Sequence, residues 1–105
     1  MRAAVEKKAA EIRVLDIRLV ASYADYLVLC NGSNRRQIQS IADEVLVAMK
    51  RHGDPAISVE GIDTAEWVLI DFGDMVVHIF SPTARSYYDF DRLYRDAVQE
   101  PLNAR

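Results

Sequence analysis

The segment Trp67 to Phe80, WVLIDFGDMVVHIF, constrains this chain more than any other. Two apolar runs flank Gly73-Asp74, and a glycine at the start of a two-residue loop supplies the positive φ that a tight hairpin turn needs. That turn sets the register. Phe72 then opposes Met75, Ile70 opposes Val77, and Val68 opposes Ile79, so six apolar residues share one face. The other face pairs Asp71 with Val76, Leu69 with His78, and Trp67 with Phe80. One face reads as plain core. The second mixes an indole, a carboxylate and an imidazole among apolar groups, and function is sought there.

The rest of the chain supplies a sheet for the hairpin to join. Residues 2–11 read as a short helix with Val5, Ala9 and Ile12 on one stripe. Residues 14–20 alternate, with Leu15, Ile17 and Leu19 against Asp16 and Arg18, the pattern of a half-exposed strand. Residues 26–30 are continuously apolar, as in a strand covered on both faces. The short link between these two strands favours an antiparallel pair. Residues 34–52 carry the longest helical pattern. Ser33 or Asn34 caps its start, Asn34 with Gln37 resembles a capping box, and Gly53 with Pro55 ends it. A short strand at 57–60 follows this helix, a spacing that suits a right-handed crossover. Phe90, Leu93, Tyr94 and Ala97 mark a last helix ended by Pro101. The expected fold is α/β (α+β): a single domain over residues 1–105 with one mixed five-stranded sheet and helices packed on it.

With 105 residues, half of them apolar and 28% charged, a chain hides about 65% of its unfolded surface and needs neither metal nor disulfide. The formal net charge of −3 makes non-specific nucleic-acid binding a poor expectation, since such binding rests on neutralising phosphates. It suits a basic protein partner better. The single cysteine, Cys30, permits no internal disulfide and points to a reducing compartment. No apolar run reaches the ~18 residues of a membrane span.

Gly32-Ser33 at a helix start invites an anion-binding reading. The P-loop lysine is missing, however, and a nucleotidyltransferase would need paired carboxylates on an adjoining strand to hold metal. That strand carries only Glu60, so helix capping is favoured over nucleotide chemistry. Asp89-Phe90-Asp91 likewise reads as capping and dipole complementarity at a helix start. The histidines, His52 and His78, form no cluster with metal-ligand spacing. His78 lies diagonally across the hairpin from Asp71, and a hydrogen bond between them would either orient a binding surface or satisfy a half-buried imidazole. Cys30 reads as core. Arg35-Arg36 read as solvated or partner-facing. Trp67, the lone tryptophan, is either core or an interface anchor, since tryptophan is enriched among binding hot spots. Tyr87-Tyr88 beside Arg85 is rich in contact-prone side chains.

Taken together, several segments resemble the ribosomal silencing factor family, also called Iojap-like or RsfS. They are VLDIR, ASYADYLVLCNGS, RRQIQSIADEV, Val59-Glu60-Gly61, EWVLIDFGDMVVHIF, Arg85, Tyr88-Asp89 and RLY. The family usually carries Leu-Glu where this chain has Phe90-Asp91, and Trp where it has Tyr94. The resemblance implies a cytoplasmic, non-enzymatic translational repressor with no cofactor. It implies binding to the large ribosomal subunit through its fourteenth protein and a block on joining of the small subunit. The fold is expected to be similar to nucleotidyltransferases without their metal carboxylates, and a homodimer is expected when the protein is free. Carried over by motif, the contact set is Trp67, Asp71, Gly73, His78, Arg85 and Tyr88, with Leu69 added from its place on the mixed face. The alternative is a nucleotide-binding domain using Ser33, Glu60 and Asp71. Titration with labelled ATP and magnesium separates the two: the repressor reading expects no specific binding, and saturable binding lost in Ser33→Ala would favour the alternative.

Overall fold

In the computed structural model, residues 9–100 are described. The chain forms β1 (Ala10–Asp16), β2 (Tyr26–Asn31), α1 (Arg35–Arg51), β3 (Ser58–Glu60), β4 (Trp67–Asp71), β5 (Met75–Phe80), α2 (Pro82–Tyr88), α3 (Phe90–Leu93) and β6 (Val98–Glu100). Six strands make one sheet in the order β3-β4-β5-β2-β1-β6. The β2–β5 pair is parallel and the other four pairs are antiparallel.

The hairpin β4–β5 has the expected register, with Ile70 opposite Val77, Val68 opposite Ile79, Leu69 opposite His78 and Trp67 opposite Phe80. Phe72 N–H donates to Met75 O at 2.9 Å, and Gly73 takes φ +97° at the turn. The plain face meets α1, whose buried Ile38, Ile41, Ala42 and Val45 pack with Val28, Cys30, Val68, Ile70, Val77 and Ile79. The mixed face builds a second core of Leu15, Ile17, Leu27, Leu29, Val76, Phe80 and Ala84, edged by half-buried Trp67, Leu69, Phe90 and Tyr94. Alternation explains why β2 is apolar throughout: Val28 and Cys30 serve one core, Leu27 and Leu29 the other.

Helix α1 is held at both ends by the expected residues. Asn34 Oδ1 accepts the Gln37 N–H at 2.8 Å, and Gln37 Oε1 accepts from Ser33 N at 2.6 Å and Ser33 Oγ at 2.8 Å. The return bond therefore reaches one residue further back than in a capping box. At the other end Gly53 (φ +87°) donates to Lys50 O and Asp54 N–H donates to Met49 O, the pair of bonds of a Schellman motif.

Three expectations need correction. The sheet has six strands, not five, because the apolar spacing at 90, 93, 94 and 97 does not make one helix. Helix α3 lasts a single turn, Leu93 points outward at 69% exposure, and the chain then pairs with the edge of β1, Leu15 opposite Gln99. The backbone groups that β1 would leave unpaired at that edge are satisfied by β6. Strand β1 lies upstream of its expected position at 14–20. Buried Ile17 follows its last residue, and Val20 and Ala21 N–H both fold back to Ile17 O, leaving Leu19 94% exposed. The expected helix at 2–11 lies mostly outside the described residues, and its last two positions belong to β1. The expected crossover through α1 spans the sheet. Strand β3 runs in the same direction as β2 but at the far edge, and β4 and β5 fill the space between.

One glycine joins the hairpin to α1. Gly61 has φ +85°, and a Cβ there would stand 2.1 Å from Trp67 O. The adjoining loop is tied to α1 by Gln39 Nε2 on Ile62 O (2.9 Å) and Arg35 Nη2 on Asp63 O (2.7 Å). Arg35 is thus engaged within the fold. Gly61→Ala is expected to destabilise by more than about 2 kcal/mol, since strain and a backbone clash add. Urea unfolding measures this, with Gly53→Ala as comparison, because a Cβ at Gly53 meets nothing within 4 Å.

Candidate functional site

Strand β4 places Trp67, Leu69 and Asp71 on one face, each half-buried, while Val68 and Ile70 between them are buried under α1. Their partners on β5, Val76, His78 and Phe80, are buried. The face is therefore closed over β5 and opens toward the β3 edge, where Ser58 opposes Asp71 and Glu60 opposes Leu69. Both β3 residues are exposed.

Trp67 is the hub of an aromatic cluster. Its ring stacks on Phe80 at 5.7 Å between centroids, meets Tyr88 at 4.4 Å and Phe90 edge-on at 5.6 Å, and lies 5.8 Å from His78. The indole Nε1–H donates to His78 Nδ1 at 2.9 Å. A neutral imidazole accepting at Nδ1 carries its proton on Nε2. Burial keeps it neutral, pushing its pKa down to about 4.

The expected Asp71–His78 hydrogen bond is absent. Trp67 and Asp71 are both diagonal neighbours of His78, on opposite sides of Leu69. A diagonal of roughly 7–8 Å is spanned by long side chains only. The indole reaches; the carboxylate turns instead to the loop, where Asp71 Oδ1 accepts the Gly73 N–H at 2.8 Å.

Arg85 is buried at 7% exposure. Its Nε and Nη2 grip Asp91 through both carboxylate oxygens at 2.8 and 2.9 Å, and its Nη1 donates to Glu11 O and Asn31 Oδ1, each at 2.9 Å. Arg13 Nη1 adds a bond to Asp91 Oδ1 at 2.7 Å. The Arg85 hydrogen bonds, with help from Arg13, hold the Asp91 carboxyl well below the usual carboxylate range. Asp91 stands in the first turn of α3, where complementing the helix dipole places an acid, and its carboxylate is also an ion-pair partner. Asp89 makes no side-chain cap bond and supplies the left-handed joint (φ +49°) between α2 and α3.

The contact-set residues fall into two groups. Trp67, Leu69, Asp71, Gly73 and Tyr88 are accessible in whole or part, whereas His78 and Arg85 lie behind them. Phe90, Asp91, Arg13 and Asn31 were not singled out as site residues. Their convergence depends on the left-handed Asp89 between α2 and α3, which no sequence pattern signals. The nucleotide alternative is not brought together, because Glu60 and Asp71 are diagonal neighbours across β3 and β4 but Ser33 is remote from Asp71. Ser33 follows β2 at the end of the sheet where Gly32 N–H bonds Phe80 O, opposite Trp67. Asp71 stands at the other end of β4, about 13 Å along the strand. Among the described residues no three His, Cys, Asp or Glu side chains could hold a metal ion together. Cys30 is a core residue as expected, its thiol pushed up to about 12 by burial.

The family model described as "Ribosomal silencing factor during starvation" matches residues 1–105. The chain belongs to the ribosomal silencing factor family. Ribosomal silencing factor RsfS of Bacillus subtilis is 40% identical over 98 residues, covering 93% of this chain and 83% of the relative. A mouse protein named "Mitochondrial assembly of ribosomal large subunit protein 1" is 31% identical over 85% of this chain, which spans 40% of that protein. A crystal structure of a Chromobacterium violaceum protein superposes with a TM-score of 0.87 at 34% identity, covering 95% of this chain and 82% of that one. Membership of the family supports a ribosome-associated silencing role.

The buried imidazole makes silencing-factor stability depend on pH. An unfolded histidine takes a proton near pH 6.5, the folded His78 only near 4. Between these values the unfolded state binds more protons, so stability is full above about pH 6.5 and falls as pH drops toward 4. The loss is on the order of 3 kcal/mol. Urea unfolding at pH 7.5 and 4.5 is expected to show most of it in wild type and little in His78→Phe.

Proposed function

We propose that this chain is a non-catalytic translational repressor. It docks on the large ribosomal subunit through that subunit's fourteenth protein and blocks joining of the small subunit. The observation that carries the reading is the half-open face of β4 in a chain that matches the silencing-factor family along its whole length. That face joins an indole, a leucine and a tyrosine to a carboxylate at the turn. Aromatic anchors beside a charged group are the composition of a protein-binding hot spot. The mouse relative's name supports the large subunit as partner. The net charge of −3 supports docking on a basic protein in preference to bare RNA. The fourteenth protein and a homodimer in the free state follow from the family resemblance, and the single cysteine, Cys30, supports a reducing, cytoplasmic setting.

Trp67, Leu69, Asp71, Gly73 and Tyr88 form the contact surface of this reading, with His78 and Arg85 supporting it from behind. An apolar side chain of the partner seats against Trp67 and Leu69, and a lysine or arginine pairs with Asp71, whose Oδ2 has no bond within the fold among the described residues.

Co-sedimentation is expected with large but not small subunits; equal pelleting with both, or with neither, overturns the reading. Trp67→Ala is expected to lose both stability, about 3 kcal/mol for a packed indole, and binding. Asp71→Lys separates the two. It should stay folded, since Asp71 closes only a turn bond, and lose roughly 2 kcal/mol of binding, about thirtyfold. A folded Asp71→Lys variant with wild-type affinity rules out this face.

A further inference from the structure

The aromatic surface around Trp67 is not carried by the hairpin alone. Two of its four ring neighbours, Tyr88 and Phe90, come from the α2–α3 segment. They flank Asp89, a non-glycine residue at φ +49° where the two short helices change direction. Helices of seven and four residues have little stability of their own. Their placement on the sheet therefore depends on what ties them down.

The ties converge on one carboxylate. Arg85 on α2 and Asp91 on α3 bracket the Tyr88-Asp89-Phe90 joint, and their two-pronged ion pair closes it. Arg13 on β1 holds the same carboxylate from the sheet, and Gln99 Oε1 of β6 accepts from Arg13 Nε at 3.0 Å. Arg85 Nη1 is seated on the carbonyl of Glu11 and the side chain of Asn31. The Asp91 side chain is one-third exposed, and its partners come from β1 and α2, not from β4.

The geometry points to Asp91 as a positioning residue for the docking surface, acting through Arg85 to fix Tyr88 and Phe90 against Trp67. The inference rests on the docking reading above for its functional consequence; the placement of Trp67 is separately measurable. Without Asp91, Arg85 keeps its anchors on β1 and β2 but loses its hold on α3. The joint is then free to lift and Trp67 loses two ring contacts. A carboxylate is required because only its two acceptor oxygens match the guanidinium fork.

Trp67 is the chain's single tryptophan, so its fluorescence reports this packing without a label. Asp91→Asn is compared with wild type, with Asp91→Glu as the conservative variant, and with Val45→Ala, which weakens the opposite core under α1. The expected result is red-shifted emission and stronger acrylamide quenching in folded Asp91→Asn. Large-subunit affinity should fall at least about tenfold, the size of one good interface contact. Asp91→Glu is expected to recover much of both. Val45→Ala is expected to lose stability without moving the Trp67 signal. If Asp91→Asn does not fold, Arg13→Gln, which removes one of the two arginines, is expected to show the same quenching change at smaller amplitude. Unchanged Trp67 quenching in the folded variant overturns the inference. So does altered quenching with undiminished subunit affinity, provided Asp71→Lys lowers that affinity. If Asp71→Lys binds as wild type, the docking reading has failed, and quenching alone decides whether Asp91 positions Trp67.

Discussion

Burying a guanidinium governs much of how this fold closes. An arginine taken out of water without partners costs several kcal/mol, and removing one partner of a buried pair typically costs about 3–5 kcal/mol. Arg85 meets that demand with a carboxylate, an amide oxygen and a main-chain carbonyl drawn from α3, β2 and β1. The carbonyl is available because of a local distortion. Glu11 sits in the register irregularity between Ala10 and Arg13 at φ +49°, a conformation that disfavours side chains with a Cβ. Where a regular β1 would point that carbonyl into the ladder, the bulge leaves it for Arg85. Strain in one strand thus serves a charge on a helix across the sheet.

The two faces of the sheet divide the work. Under α1 the core is apolar throughout, needs no specific partner and tolerates no opening. On the other side a seven-residue helix and a single turn cannot cover the width of six strands, and β3 and much of β4 stay accessible. The polar groups on that side are satisfied in pairs: Trp67 with His78, Asp71 with the turn, Arg85 with Asp91. The described residues contain no buried side-chain nitrogen or oxygen without a partner. This side therefore sets paired polar groups into an apolar core, and side chains already held by partners limit the ordering cost of binding.

What was legible in the sequence follows the range of the forces involved. The hairpin register came from one turn and strict alternation, and every pair from Trp67–Phe80 to Asp71–Val76 is as expected. Helix α1 came from seventeen residues of period 3.6 with caps at both ends. Strand β6 was not legible, because the spacing of Phe90, Tyr94 and Ala97 fits a helix as well as a one-turn helix followed by a return to the sheet. Leu19 looked like a strand residue because alternation continues through it; nothing local announces that the chain turns at Ile17. At the site, the place of Trp67 and Leu69 was legible, while the choice of partner for His78 was not. Alternation makes Trp67 and Asp71 equally diagonal to it, and only side-chain length and the claim of the Gly73 amide separate them. The Arg85–Asp91 pair joins residues whose shared role depends on a left-handed Asp89, and no pattern in the sequence marks that.

The placement of charge along β4 adds direction to the surface. The apolar and aromatic groups gather at its Trp67 end, beneath Tyr88 and Phe90, while Asp71 stands at the turn and exposed Glu60 faces the same way from β3, opposite Leu69 midway between them. On the docking reading, a partner meets an apolar anchor at one end, an acid at the other and Glu60 along the open edge between them, and a basic surface fits that arrangement in one orientation only. The acids and the apolar anchor also act at different ranges. Coulomb attraction to Asp71 and Glu60 extends about one Debye length, roughly 8 Å in physiological salt, and guides approach. Burial of Trp67 and Leu69 acts at contact and slows departure. Raising the salt concentration then weakens the complex mainly by slowing its formation, whereas loosening the rings around Trp67 weakens it by hastening its dissociation.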